Sequence, residues 1–200
     1  PWMVTQFGVR EPPAEYRDGK SRKFSMDLNL GGSLDHSDPS DPLSVFTAKM
    51  HEFDNKLIGD AVEHSMEWMR KKSMTREVCE ALFTRGVRVA RDRETQEPTD
   101  RFPPTFKVKV PFFDGAFACD LFDTRQQKVT QPIDEIITGR TQVRCLLKCV
   151  GLWFAGGKFG CSWKALAIEY RDNGGASLQG YAFRRDGAAD DDDDIVEDEE

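Results

Sequence analysis

The chain has 200 residues, of which 38% are hydrophobic and 32% charged, and its net charge is -7. This length and apolar content suffice for one folded domain without disulfide or metal staples. No apolar run approaches the roughly 20 residues of a membrane-spanning helix, and the first residues lack the basic-then-apolar pattern of a signal peptide. The composition therefore predicts an intracellular protein that is neither secreted nor inserted in a membrane.

The negative charge is concentrated at the C-terminal end. Of the 35 acidic residues, nine lie in residues 190–200, which contain no basic residue. The rest of the chain carries 28 basic and 26 acidic side chains. A block of like charges is expected to be disordered, so we predict a mildly basic domain over residues 1–189 and an acidic tail, with a plain solubility extension as the alternative. The acidic residues of the tail are Asp190, Asp191, Asp192, Asp193, Asp194, Glu197, Asp198, Glu199 and Glu200.

Two strands are predicted before residue 31. Residues 1–10 form the first, with Gly8 as a candidate bulge and two prolines after it. In residues 23–30 apolar and polar side chains alternate strictly, which is typical of a half-buried strand. The apolar positions of this second strand are Phe24, Met26, Leu28 and Leu30.

A helical insertion is predicted over about residues 43–86. Asp41-Pro42 is a typical helix entry, and apolar residues then recur every three or four positions from Leu43 to about Lys72. Thr75 caps a second predicted helix that ends near Gly86. We interpret the Met and Phe side chains of both helices as packing residues that cover one face or one end of a sheet.

Residues 105–123 predict a second pair of strands. The segment 105–110 alternates, which places Lys107 and Lys109 on the face opposite Phe106 and Val108. Asp114-Gly115 is a typical two-residue turn, so this region is interpreted as a hairpin. The preceding segment, residues 87–104, is treated as a loop whose arginines are candidates for function.

The longest predicted element is a hairpin over residues 142–171 that turns at Gly156-Gly157. Counting outward from the turn pairs Trp153 with Gly160 and Phe154 with Phe159. The same count pairs Leu147 with Leu166, so Leu147, Leu166 and Ile168 are expected to be buried. Near the turn, the aromatic residues Trp153, Phe154, Phe159 and Trp163 are interleaved with the lysines Lys148, Lys158 and Lys164.

Aromatic rings and lysines on a strand surface suit a polyanion with stackable rings, such as a nucleic acid. Gly151 and Gly160 would then leave room for the ligand. The alternative is that the rings fill a core while the lysines are ordinary solvated positions. With about six mostly antiparallel strands, the pattern predicts a mainly β fold, either a small Greek-key barrel or a sandwich, with two helices inserted between its second and third strands.

Signals for catalysis and metal binding are few. The three histidines lack a metal-ligand spacing, and no nucleophile-elbow, phosphate-loop or dinucleotide motif is present. Five cysteines without a CxxC pair favour reduced core thiols over disulfides. The sequence therefore predicts a binding protein that is not an enzyme and that needs no metal or cofactor. The cysteines are Cys79, Cys119, Cys145, Cys149 and Cys161.

A resemblance to a known family rests on the hairpin. Its residues are Trp153-Phe154, then Gly157-Lys158-Phe159-Gly160, then Trp163-Lys164-Ala165, preceded by Phe102-Pro103-Pro104 with Lys107 and Lys109. This pattern resembles the single-stranded-DNA-binding proteins of nucleocytoplasmic large DNA viruses of algae and their relatives, which are similar to the corresponding protein of T-odd podophages. The resemblance covers most of residues 1–189, and the hairpin motif is its specific part.

The resemblance implies an OB-fold-like barrel that binds single-stranded DNA without sequence specificity in viral DNA replication, recombination and repair. It implies no cofactor, a location at a nuclear or cytoplasmic replication site of an infected cell, and a tail that contacts a DNA polymerase, helicase or primase. Two alternatives stay open, namely an acidic-tailed interaction protein or chaperone for basic partners, and an RNA-binding protein that uses the same surface. A homodimer also stays open. The implied DNA-binding residues are Trp153, Phe154, Lys158, Phe159, Trp163, Lys164, Lys107 and Lys109, to which the hairpin pattern adds Lys148.

Overall fold

The computed structural model describes residues 1–16, 22–31, 38–92, 94–99 and 101–171. The predicted acidic tail and His36 lie outside these ranges. No helix within them is long and apolar enough to cross a membrane. In chain order the elements are β1 (Met3–Thr5), a 3₁₀ turn (Ala14–Tyr16), β2 (Phe24–Asn29), α1 (Pro42–Glu63), α2 (Ser65–Met69), α3 (Arg76–Leu82), β3 (Phe83–Thr84), β4 (Val87–Arg88), β5 (Thr105–Val110), β6 (Phe112–Phe113), β7 (Ala116–Phe117), β8 (Asp120–Phe122), β9 (Lys128–Val129), α4 (Ile133–Ile136), β10 (Gln142–Ala155) and β11 (Lys158–Arg171).

Five of the strands close a barrel. β1 pairs antiparallel with β2 and with β10, β2 pairs with β5, and β10 pairs with β11. A parallel pairing of Lys109 with Lys164 joins β5 to β11 and completes the ring. In barrel numbering this order is 1-2-3-5-4, which is the arrangement of a five-stranded OB-fold. The predicted fold class, a mainly β OB-fold-like barrel with helices inserted after its second strand, is confirmed.

The alternation in β2 and β5 fills the barrel interior. In β2 the side chains of Phe24, Met26 and Leu28 are buried, while those between them are half-buried. In β5 Phe106 and Val108 are buried, and Lys107 and Lys109 point outward. The predicted alternation of both strands is therefore confirmed, and the outer surface of β5 carries the two lysines.

The helical insertion has three helices rather than two. Asp41 caps α1 by accepting hydrogen bonds from the backbone N–H groups of Leu43 and Ser44. The first helix breaks at His64, so α2 is a separate turn of helix. Thr75 caps α3 as predicted, but α3 ends at Leu82 because Phe83 is already extended and pairs with β11 as part of β3. Helical periodicity alone did not signal either change.

The prediction for residues 105–123 was right about the turn and wrong about the strands that it joins. Asp114 and Gly115 have φ values of 50° and 81°, as a type I′ turn requires. The turn joins only the two-residue strands β6 and β7. β5 pairs instead with β2 and β4, and β8 pairs with β11 and β9. The first strand is also shorter than predicted, since β1 ends at Thr5 and Gly8 makes only an isolated bridge to Thr138.

The long hairpin forms with the predicted turn, at Gly156 and Gly157 with φ values of 56° and 76°. The predicted pairing holds at both ends, where Phe154 pairs with Phe159 and Val143 pairs with Tyr170. Between the ends two shifts in register interrupt it. At one shift Val150 of β10 has no partner, and at the other Leu166 of β11 has none. Because each strand carries one extra residue, the two shifts compensate each other.

The shifts correct the predicted core of the hairpin. Leu147 pairs with Ala165 rather than Leu166, and Lys148 pairs with Lys164. Leu166 is left outside the ladder and is 40% exposed, whereas Ile168 is fully buried. The expectation that Leu166 is buried is therefore wrong, because an extra residue on one strand moves the following side chains to the other face.

Candidate nucleic-acid interface

A cleft of about 300 Å³ lies on the outside of the barrel, between β4 and β5 on one side and the β10–β11 hairpin on the other. Its lining includes four basic side chains, those of Arg85, Arg88, Lys107 and Lys109, and no carboxylate. Phe106, Trp153 and Trp163 supply its aromatic part. The cleft therefore combines positive charge with aromatic surface.

Three of the four cations are available to a ligand. Arg88 and Lys107 are exposed and make no ion pair within the described residues. Lys109 is also exposed, and its Nζ donates a hydrogen bond to the Ser162 hydroxyl at 2.9 Å. Arg85 is partly neutralised, because its guanidinium pairs with Glu80. An anion that enters the cleft would meet three cations without competing protein carboxylates.

The turn between β3 and β4 is anchored to helix α1. The Asp54 carboxylate, which is 2% exposed, accepts a hydrogen bond of 2.9 Å from the backbone N–H of Gly86. Burial raises the pKa of Asp54, although this hydrogen bond and the nearby Arg85 act in the opposite direction. Because Arg85 and Arg88 flank Gly86, Asp54 positions both arginines at the cleft.

Trp153 lies across the backbone of Gly160. A Cβ atom at position 160 would lie 2.8 Å from Trp153 Cζ2 and 2.9 Å from the carbonyl oxygen of Thr84. Glycine is thus required for the indole and β3 to approach β11. The expectation that Gly160 leaves room for a ligand is corrected, because Trp153 and Thr84 occupy that space. At Gly151 the space is open, and its φ of 127° belongs to the bulge.

Trp163 belongs both to the cleft and to the core. Its ring packs on Phe53 at 5.5 Å and on Phe106 at 6.1 Å between centroids. The side chain is half-buried, and part of it lines the cleft. Trp163 therefore forms the floor of the cleft. Because its ring packs on Phe53 and Phe106, bases cannot stack on both of its faces.

Phe159 does not reach the cleft. Its side chain is 1% exposed and packs on Phe83 at 5.1 Å, in the cluster that joins the hairpin to the helices. The expectation that Phe159 stacks on a ligand is corrected, because the ring is enclosed by protein. Its role is to hold the hairpin on the helical insertion.

Phe154 and Lys158 lie in a second groove, at the tip of the hairpin. This tip groove, of about 370 Å³, is also lined by Trp68, Arg70 and Lys71. Phe154 is 47% exposed and stacks on the buried Phe159, with centroids 5.8 Å apart. The predicted residues are thus divided between two surfaces, since Phe154 and Lys158 are not part of the cleft lining.

Lys148 and Lys164 face each other across the hairpin between its two bulges. Lys148 is exposed and Lys164 is half-buried. Neither lines the cleft, but Lys164 pairs with Lys109, which does. The two lysines therefore extend the positive surface beside the cleft rather than forming its wall.

Sequence reasoning missed several residues of these surfaces. Arg85 and Ser162 line the cleft, and Trp68 and Arg70 line the tip groove. Arg88 was included only as one of several loop arginines. The available signal was the pair Arg85-Gly86 directly before the short strand β4, but nothing in the sequence indicated which strand this segment would approach. Within the described part of the chain, no three His, Cys, Asp or Glu side chains are grouped as a metal site.

No family model matches this chain, and no curated protein matches its sequence. Among solved structures, it is similar to gp2.5, a single-stranded DNA binding protein encoded by bacteriophage T7, with 13% identity and a TM-score of 0.48 over 99% of this chain and 96% of that chain. It is also similar to the single-stranded DNA-binding protein from bacteriophage Enc34 in complex with ssDNA, with 11% identity and a TM-score of 0.46 over 84% of each chain. The OB-fold-like description of this chain rests on its own strand order.

Proposed function

We propose that the protein binds single-stranded DNA, without sequence specificity, in the cleft between β5 and the hairpin. The observation that carries this proposal is the lining of the cleft, in which four cations and the indole of Trp153 stand together without a carboxylate. Arg88, Lys107 and Lys109 would neutralise phosphates, and Trp153 would stack on a base at about 1–3 kcal/mol. Trp163 would hold the floor of the cleft.

The aromatic wall favours a single strand over a duplex. In a duplex both faces of each base are covered by neighbouring base pairs, so an indole can stack only on a base that is unpaired. Stacking and phosphate contacts are available to every nucleotide, which is why this type of surface discriminates little between sequences. The predicted lack of sequence specificity follows from the same two contacts.

We extend the proposal to the acidic tail and to the biological setting. Residues 190–200 carry nine carboxylates, which complement the cations of the cleft, and a tethered polyanion competes at high effective concentration. The tail would compete with DNA for the cleft and recruit a DNA polymerase, helicase or primase. The setting that we propose is viral DNA replication, recombination and repair in an infected cell, without a catalytic activity of this chain.

One alternative is a protein that binds basic partners through its tail, with the hairpin aromatics as core. Two observations favour it in part, since Phe159 is buried and Trp163 packs on Phe53 and Phe106. Trp153 distinguishes the two functions, because it is half-buried and lines the cleft together with Arg88 and Lys107, which make no ion pair within the described residues. Loss of DNA binding in a folded Trp153 variant would reject the alternative.

The test is a titration of the full chain, and of the chain that ends at residue 189, with oligo(dT) at several salt concentrations. We expect quenching of tryptophan fluorescence, and an affinity that falls with salt at a logarithmic slope of about 2 if Arg88, Lys107 and Lys109 neutralise three phosphates. Removal of residues 190–200 should tighten binding. A duplex bound as tightly as the single strand would overturn the proposal, and tighter binding of oligo(U) in competition would identify RNA as the ligand.

A further inference from the structure

Two cysteines meet across the long hairpin beside the cleft. The Sγ atoms of Cys149 and Cys161 lie 3.3 Å apart, although twelve positions separate them in the chain. Cys149 is exposed and Cys161 is half-buried. Both are free thiols, so the hairpin presents a dithiol with one member open to solvent.

The bulge at Val150 creates this contact. Cys149 pairs with Trp163 and Cys161 pairs with Leu152, so the two cysteines are diagonal neighbours on either side of the shift in register. Without the bulge, Cys149 would pair with Lys164 and would stand on the opposite face from Cys161. The same bulge leaves Val150 54% exposed.

The other three cysteines have different environments. Cys79 and Cys119 are buried. Burial raises the pKa of Cys119 and of Cys145 to about 12, which suppresses their thiolate forms. None of the three makes a sulfur–sulfur contact within the described residues. Cys149 is therefore the thiol that a reagent in solution can reach.

We propose that Cys149 and Cys161 form a reversible oxidation site that reacts with small-molecule disulfides such as oxidised glutathione. Cys149 releases its proton, attacks one sulfur of the reagent and expels one glutathione thiolate, which leaves a mixed disulfide. Cys161 then releases its proton and attacks the Cys149 sulfur, which expels the second glutathione. The protein loses two protons and two electrons, and the reagent takes up both and is reduced to two thiols.

The order of the two steps follows from exposure. Burial, with the hydrogen bond to Cys149 and the charge of Cys149 as smaller causes, raises the pKa of Cys161 to about 12. Cys161 is therefore a poor first nucleophile, but it lies at contact distance from the sulfur that it must attack. Cys161 also lines the cleft, but the reaction requires only the two thiols and therefore does not depend on the proposed DNA binding.

The test treats the folded full-length chain with oxidised glutathione, then alkylates all remaining free thiols in denaturant and measures intact mass. The wild-type monomer should lose two hydrogens, retain no glutathione and keep three alkylatable thiols, and dithiothreitol should reverse the change. Trypsin cleavage after Lys148, Lys158 and Lys164 should then yield peptides 149–158 and 159–164 joined by one disulfide.

Single variants separate the steps. Cys161→Ser should stop at the mixed disulfide and keep one glutathione on Cys149. Cys149→Ser should not react while folded, and the control Cys145→Ser should behave as the wild type. A stable glutathione adduct on the wild type, a disulfide that involves another cysteine, or no reaction at all would overturn the proposal. Circular dichroism of each variant establishes that it is folded before the reaction.

Discussion

Near its turn, the β10–β11 hairpin carries aromatic rings on both faces, and the two faces have different surroundings. On one face Phe159 is enclosed by the helical insertion, with Phe83 at 5.1 Å. On the other face Trp153 lies over Gly160 and lines a cleft with four cations. A ring can stack on a base only where one of its faces is open, so aromatic residues stabilise the fold on one side of the hairpin and, as we propose, bind a base on the other.

The largest effect is expected when the enclosed ring is removed. Phe159→Ala should lower the free energy of unfolding by about 3–5 kcal/mol, because a fully buried aromatic side chain leaves a cavity. Denaturant unfolding measures this change. The matched control is Phe154→Ala, which should lose far less stability because the Phe154 ring is 47% exposed. Equal stability losses for the two variants would contradict the assignment of Phe159 to the core.

Removal of Trp153, which is half-buried at the cleft, should have the converse effect. Trp153→Ala should weaken oligo(dT) binding about 5- to 150-fold, which corresponds to about 1–3 kcal/mol for one stacked base. Its unfolding free energy should change much less than that of Phe159→Ala. Fluorescence anisotropy with a labelled oligonucleotide measures the affinity, and Trp153→Phe should retain part of it. Unchanged affinity of Trp153→Ala for oligo(dT) would show that this ring does not contact the DNA.

The cations of the cleft can be tested by the salt dependence of binding. The double variant Lys107→Gln and Lys109→Gln should reduce the logarithmic salt slope by about 1.4, the value for two phosphates of a single strand. The control is Lys49→Gln with Lys56→Gln, which changes the charge equally on α1, where both lysines are exposed. A similar loss of slope in both double variants would show that net charge, rather than the cleft, governs binding.

The smallest expected effect concerns Asp54, which holds the backbone of Gly86 beside the cleft. Because burial raises the pKa of Asp54, the folded chain holds its proton more tightly than the unfolded chain. The wild-type free energy of unfolding should therefore decrease as pH rises from the ordinary value of 3.8 through the raised pKa. Asp54→Asn keeps an oxygen for the Gly86 N–H without a charge to bury, so at neutral pH its free energy of unfolding should be higher than that of the wild type.

Denaturant unfolding of Asp54→Asn at neutral and mildly acidic pH measures this difference. The gain should shrink as the pH falls, since the wild-type carboxyl then becomes neutral as well. Glu63→Gln, an exposed position at the end of the same helix, is the control and should show no such trend. A gain in stability that does not depend on pH would show that it does not arise from the ionisation of Asp54.

Much of the fold could be predicted because its signals are local. The alternation of residues 105–110 predicted β5, Asp41 and Thr75 predicted two helix starts, and the Gly156-Gly157 pair predicted the hairpin turn. Of the site, Trp153, Trp163, Lys107 and Lys109 were predicted and line the cleft. Their assignment to DNA remains a prediction.

The residues that could not be predicted depend on contacts between distant segments. Arg85 reaches the cleft because Asp54 of α1 holds the Gly86 backbone and β3 pairs with β11. Trp68 packs on Phe154 at the tip of the hairpin because α1 ends at His64 and α2 begins there as a separate helix. Neither approach produces a periodic pattern in the chain, so neither could be inferred from it.

The sequence by itself determined the turns, the caps, the alternating strands and the concentration of negative charge at residues 190–200, since each depends on neighbours within a few positions. Only the tertiary structure decided which aromatic face is enclosed, and where the hairpin shifts register at Val150 and Leu166. Those outcomes reflect packing of the hairpin against both the barrel and the helices. A single extra residue in a strand exchanges its two faces, and only the surrounding contacts determine where that residue is accommodated.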